Sequence, residues 1–104
     1  MRQDNLPTLR NYGDYSNSNY GAHCMRVDIP ASRNGKSGIT LYFSYDTLVA
    51  FRGETKKGSS LYVHTNDWGT TTGKHLNWID GGDKESRLSD KEFEKLYKQA
   101  LKNA

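Results

Sequence analysis

The sequence predicts an α+β domain: a four-stranded antiparallel β-meander, then a short helix and a longer, amphipathic C-terminal helix. Three observations carry this. Short apolar–polar alternations recur between residues 23 and 64, turn-forming residues separate them closely, and a sustained helical apolar period appears near the C-terminus. At 104 residues the chain has the size of a single domain, 1–104. A chain of that length buries about two-thirds of its unfolded surface and folds without staples.

Residues 1–21 read as a polar N-terminal arm or loop rich in Tyr, Asn and Gly, with Asn-Tyr-Gly at 11–13 and again at 19–21. Such an arm either lays its rings on the domain or offers an aromatic contact surface. His23 to Ile29 is the first strand: His23, Met25, Val27 and Ile29 fall on one face, Cys24, Arg26 and Asp28 on the other. Pro30 ends it, and Asn34-Gly35 marks a turn. Ile39–Phe43 alternates in the same way. A tight turn around Ser44–Asp46 leads to Leu48–Arg52, a loop over Arg52–Ser59 follows, and Leu61–His64 is the fourth strand.

Thr72 to Asp80 is predicted as a short helix with a Thr cap and Gly81-Gly82 as its stop, Leu76 and Ile79 pointing inward. Trp78, one position off that line, is expected to pack across the sheet. The last helix starts at Ser89, which with Glu92 forms a capping box, while Leu88 and Phe93 are spaced as a hydrophobic staple. Phe93, Leu96, Tyr97, Ala100 and Leu101 make one apolar stripe, and Glu94 and Lys98 are an i,i+4 pair.

Apolar residues make up 34% of the chain, so the core is small, and seven Tyr, three Phe and two Trp supply much of it. Cys24 is the one cysteine, which excludes an intramolecular disulfide and a Cys-based metal framework. No run approaches the roughly 20 apolar residues of a membrane span, and residues 1–21 lack a signal-peptide core. An intracellular protein without membrane contact is expected.

The net charge is +3, and its location matters more than its size. Residues 80–104 are neutral, with six acids and six bases, so the excess lies in residues 1–79. In a meander, the loops after the first and third strands emerge at the same end of the sheet. One carries Arg33 and Lys36, the other Arg52, Lys56 and Lys57 with Glu54, a local charge of +4. That end is either a solvated loop edge or a contact site for nucleic acid or an acidic partner.

Candidate chemistry is thin. His23, Cys24, His64, His75 and Asp67 invite a metal, but His23 and Cys24 point to opposite faces and no pair has zinc-site spacing. Neither a Gly-x-Ser-x-Gly elbow nor a cysteine-nucleophile signature is present. Gly-Thr-Thr-Thr-Gly-Lys at 69–74 lacks P-loop spacing and reads as a helix start whose amides can hold an anion. No catalytic residues, metal or cofactor are expected. Trp68 is either a lid over the core or an interaction anchor. With Lys74 it joins Arg33, Lys36, Arg52, Lys56 and Lys57 as the candidate partner-binding set.

The stretch Tyr42-Phe43-Ser44-Tyr45-Asp46-Thr47-Leu48-Val49-Ala50-Phe51-Arg52, then Asn66-Asp67-Trp68-Gly69-Thr70-Thr71-Thr72-Gly73-Lys74-His75-Leu76-Asn77 and Asp80-Gly81-Gly82, resembles a family of small proteins of phages, plasmids and other bacterial mobile elements. With the final helix the resemblance covers roughly residues 10–100, and it brings no catalytic residues. It implies a non-enzymatic binding protein, cytoplasmic in a bacterial host, that inhibits a host defence machine, as an anti-CRISPR protein acts on a Cas9-type effector. The partner is then a host protein such as a Cas effector or its nucleic-acid complex. The alternative is a small DNA- or RNA-binding accessory protein using basic loops and exposed aromatics.

Overall fold

Among the described residues five strands, one more than the sequence predicts, form a single antiparallel sheet in the order β1-β2-β3-β4-β5. They are β1 (Thr8–Asn11), β2 (Cys24–Ile29), β3 (Ile39–Ser44), β4 (Thr47–Thr55) and β5 (Gly58–Val63), followed by helices α1 (Thr70–Asp80) and α2 (Asp90–Asn103). The computed structural model describes residues 7–12, 24–31 and 37–104. The molecule is α+β, and its strands follow one another as a meander.

The additional strand, β1, lies in the segment read as an arm. All four of its residues are exposed, so no alternation marks it in the sequence. It is a strand because its backbone pairs with β2, from Thr8 opposite Asp28 to Asn11 opposite Met25. β4 also runs further than expected, to Thr55. Arg52 and Gly53 therefore sit in the ladder, opposite Leu61 and Ser60, and the β4–β5 connection shrinks to Lys56-Lys57. The turn between β3 and β4 is Tyr45-Asp46, with Tyr45 at φ 58°, a conformation that costs a non-glycine residue roughly 1 kcal/mol.

The register assigns the two faces. Leu9, Val27, Leu41, Phe51 and Tyr62 stand in one cross-strand row, with Met25, Phe43 and Leu48 in the next. α2 covers the β4–β5 end of this face: Phe93 lies 5.3 Å from Phe51 ring to ring, and Leu96 and Ala100 are buried. Gly53 allows the close approach, since a Cβ there would stand 3.0 Å from that of Ala100. On the opposite face α1 seals Leu76 against Cys24, Tyr42, Val49, Ala50 and Val63, with Tyr12 and Ile79 completing the cluster.

One irregularity couples the faces. Tyr42 pairs with Ala50 but Phe43 pairs with Leu48, so Val49 is an extra residue, a β-bulge. It lets Val49 and Ala50 both join the α1 cluster, and it turns Leu48 onto the α2 face with Phe51.

The helix ends correct two expectations. α2 is capped by Ser89, whose hydroxyl accepts the Glu92 N–H at 3.4 Å, but the Glu92 carboxylate turns to Lys57 at 3.0 Å instead of completing the capping box. α1 begins at Thr70 after Gly69, and no side chain caps it. Trp78 does not pack across the sheet: it is 46% exposed and rests on Tyr12, ring centroids 5.5 Å apart. Gly81, at φ 67°, ends α1 in the left-handed conformation that glycine tolerates best.

After that stop, Arg87 returns to α1. Its Nε donates to Asp80 Oδ2 at 2.7 Å and its Nη2 to Asp80 Oδ1 at 3.1 Å and Asn77 Oδ1 at 2.9 Å. The pair is largely buried, with side-chain exposures of 4% and 9%. Burial pushes the Asp80 carboxyl up, but the Arg87 and Gly82 hydrogen bonds, the guanidinium charge and the Asp83 N–H outweigh it and hold it below its ordinary value.

Breaking a buried pair leaves an uncompensated charge, so Arg87→Met is expected to cost about 3 kcal/mol in urea unfolding. Because the folded carboxyl titrates below its unfolded value of 3.8, the stabilisation is complete above that value. It is lost as the pH falls through the lower, folded value. Asp80→Asn should therefore flatten the loss of stability below about pH 4, read from urea midpoints across that range.

Candidate functional site

Three features carry reactive side chains, exposed apolar surface or clustered charge. The first is a buried hydroxyl–imidazole pair. Ser44 on β3 places its Oγ 2.7 Å from His75 Nδ1 and 2.8 Å from Thr72 Oγ1. Ser44 and His75 are 1% and 0% exposed, so no substrate reaches that hydroxyl, and the pair ties α1 to the sheet. Cys24, opposite Ser44, donates from Sγ to the Tyr12 carbonyl at 2.6 Å. Burial pushes its thiol up and outweighs the hydrogen bonds that favour the thiolate, which makes it a poor nucleophile.

The two described histidines do not converge. His75 is buried on the inner side of α1, 6.0 Å from the Tyr12 ring, whereas His64 packs on Phe93 of α2. Among the described residues, no three His, Cys, Asp or Glu side chains gather as metal ligands. His23 lies outside the described residues.

The second feature is the end of the sheet where the β2–β3 and β4–β5 connections meet. Ser37 Oγ donates to Glu54 Oε2 at 2.7 Å, the Ser37 N–H donates to the Asn103 carbonyl at 2.8 Å, and Asn103 Nδ2 donates to the Glu54 carbonyl. Ser37, at the end of the β2–β3 connection, thus meets Glu54 near the end of β4, and the last turn of α2 locks the two together. The described cations assigned to this end are Arg52, Lys56 and Lys57. Lys57 is ion-paired with Glu92, and Arg52 stands in β4 on the face away from α2. Lys56 is exposed in the turn. Arg33 and Lys36 lie outside the described residues. Lys74 is exposed on α1, four residues before Trp78, and belongs to neither this end nor the next feature.

The third feature is an apolar groove of about 440 Å³ along α2. Leu48, Phe93, Tyr97 and Leu101 form its floor, Trp68 and His64 close one end, and Thr47, Asp90, Glu94 and Lys98 form its rim. Trp68 is 39% exposed and Leu101 43%. Short-range contacts hold the end wall. Asn66 Oδ1 accepts the Trp68 N–H at 3.1 Å, which shapes the loop after β5. Gly73 on α1 leaves room for this, because a Cβ there would meet Asn66 Nδ2 at 2.9 Å. The His64 ring lies between Trp68 at 4.9 Å and Phe93 at 5.0 Å, its Nδ1 2.7 Å from the Thr65 carbonyl and its Nε2 3.0 Å from Asp90 Oδ1.

The Asn66–Asn77 stretch and Asp80-Gly81-Gly82 are thus a device that sets α1, its stop and the Trp68 wall. A family model matches residues 8–95, from β1 into α2. The chain belongs to DUF8033, a family of unknown function. No curated protein and no solved structure matches it. The DUF8033 match takes in the sheet, Trp68, the Asp80–Arg87 pair and the rim carboxylates, and it ends before Tyr97 and Leu101.

Of the described candidate partner-binding residues, only Trp68 lines this groove; Leu48, Tyr97, Leu101 and the rim are additions. One signal for them is in the sequence. At 100° per residue the α2 stripe from Leu96 to Leu101 spans roughly 140°, wider than one sheet contact needs. The surplus, Tyr97 and Leu101, is the part that flanks the groove. If these residues are surface and not core, Trp68→Ala and Leu101→Ser should each lower the urea-unfolding free energy by about 1 kcal/mol or less. Phe93→Ala should cost about 3 to 5 kcal/mol.

Proposed function

We propose that this DUF8033 protein is a non-enzymatic binding protein that acts by docking onto a protein partner through the groove beside α2. The observation that carries the reading is Trp68, a large ring held against His64 at the end of an apolar groove while 39% of its surface stays exposed. Partly desolvated aromatics beside apolar floors and charged rims are the usual anchors of protein recognition. The likeness to small proteins of mobile elements supports a partner in a bacterial defence machine, such as a Cas9-type effector.

Direct nucleic-acid binding is the weaker reading. Phosphate binding needs cations that face solvent. Arg87 and Arg26 are turned onto Asp80 and Asp28, while Lys57, Lys98 and Arg10 face solvent with a carboxylate beside each. The groove rim carries Asp90, Glu94 and Lys98, a net negative edge that disfavours a phosphate backbone.

The full chain used as bait in a bacterial lysate tests the choice, with single- and double-stranded DNA and RNA assayed in parallel at two salt concentrations. A specific protein partner should be retained, with affinity reduced at least roughly thirtyfold by Trp68→Ala, the effect of losing one hot-spot residue. Lys56→Glu with Lys57→Glu should retain the partner. Loss of binding in the lysine variant and retention in Trp68→Ala would move the site to the basic end. Sequence-selective nucleic-acid binding that persists at high salt would favour the rival.

A further inference from the structure

We propose that the polar cleft between α1 and the segment after it binds one phosphate group, free or carried by a small molecule, on Arg87, Lys84 and Asn77. The cleft has a volume of about 310 Å³ and is lined by Thr65, Asn66, Gly73, Asn77, Lys84 and Arg87. None of these side chains is apolar and none is a carboxylate. The cleft is therefore unlike the groove beside α2, and it does not depend on the docking reading. All six residues lie within the stretch that the family model matches.

The hydrogen-bonding groups that remain unspent decide the class of ligand. Arg87 is fixed, its Nε and Nη2 donating to Asp80 and Nη2 also to Asn77 Oδ1. Its Nη1 makes no hydrogen bond to a described residue. The side chain is only 4% exposed, yet no sealed polar side-chain atom lacks a partner, so Nη1 reaches solvent where Arg87 lines the cleft. A guanidinium only donates, so Asn77 must turn Oδ1 to it, which leaves Asn77 Nδ2 as a donor. Asn66 spends its amide on the Trp68 N–H and the Gly69 carbonyl, and the Thr65 hydroxyl donates to Asp67. Lys84 is exposed and pairs with no carboxylate among the described residues. The unspent side-chain groups are thus donors, two of them cationic, which is the chemistry of an oxyanion site.

Geometry favours phosphate over carboxylate. A planar carboxylate is best held by two parallel N–H groups of an arginine fork, and Asp80 already occupies that fork. What is left is one donor group from each of three residues, which suits an anion whose oxygens point in several directions. Charge agrees. Asp80 offsets Arg87, and Lys84 supplies the uncompensated positive charge. Asp80 and Asp83 line a neighbouring cavity, and Asp67 turns to Thr65 and His64. The volume lies at the lower end for small-molecule sites, roughly 300 Å³ and upward, so a small substituent fits beside the phosphate. A nucleic-acid backbone needs cations along a surface, whereas a single phosphate needs one cleft.

The test follows the side-chain N–H signals of Asn66, Asn77 and Arg87 in the isotope-labelled full chain. Inorganic phosphate, glycerol phosphate, acetate or chloride is added at constant ionic strength. Phosphate or glycerol phosphate should give saturable shifts at Asn77 Nδ2 and Arg87 Nε with a Kd of about 1 mM or tighter, and acetate and chloride should bind at least about tenfold more weakly. Tighter binding of glycerol phosphate marks a phosphomonoester as the ligand; equal or weaker binding marks the free ion. Lys84→Ala, at an exposed position, should keep the wild-type urea midpoint and weaken binding about tenfold. Asn77→Asp, which keeps an oxygen facing Arg87, should weaken it at least as much, while Lys91→Ala on α2 should leave it unchanged. A weaker Kd for both phosphates, shifts spread over unrelated lysines, acetate binding as tightly as phosphate, or unchanged affinity in Lys84→Ala would each overturn the site.

Discussion

The structure depends on β4 being buried from both sides. Phe51 faces α2, while Val49 and Ala50 face α1, and all three are fully buried. A strand has a period of two, so it cannot present Leu48 and Phe51 to one helix and Val49 and Ala50 to the other without an added residue. The bulge at Val49 supplies it. One irregular backbone position thus feeds both cores and delivers Leu48 to the floor of the groove. Burial of side chains of this kind is worth roughly 1.5 to 3 kcal/mol each, so β4 anchors a large share of a small core.

Electrostatics follow the same economy. The formal excess of +3 suggests a cationic surface, and several of the described cations also tie elements of the fold together. Arg87 closes the turn after α1, Lys57 ties the β4–β5 turn to α2, and Arg26 spans Asp28 and the Tyr42 ring, 5.8 Å from its centroid. Asp28 is buried enough to raise its carboxyl, but Arg26, Thr40 and Arg10 outweigh that and keep it low and ionised. A net charge counts side chains without asking which have a carboxylate beside them.

What the sequence makes legible follows from periodicity. The faces of β2 and β3, the Ser89 cap and the inward Leu76 all rest on repeats of two or 3.6 residues. Elements without a repeat stay hidden. β1 is exposed on every residue and is defined by its pairing with β2. The bulge leaves no compositional trace, so alternation assigns Leu48 to the wrong side of the sheet. Glu92 satisfies the spacing of a capping box, but a lysine distant in sequence competes for its carboxylate. The groove was unreadable for a related reason: its lining comes from the start of β4, the segment after β5 and α2, which only the fold brings side by side.

The chain order of this meander has a consequence for biosynthesis. Every strand precedes α2, so while the polypeptide leaves the ribosome the row from Leu41 through Phe51 to Tyr62 is complete before the helix that shields it exists. During that interval the nascent domain shows a bare aromatic sheet face, a target for chaperones that bind exposed apolar surface. Only emergence of residues 90–103 ends that exposure, which makes maturation of the fold a C-terminal event.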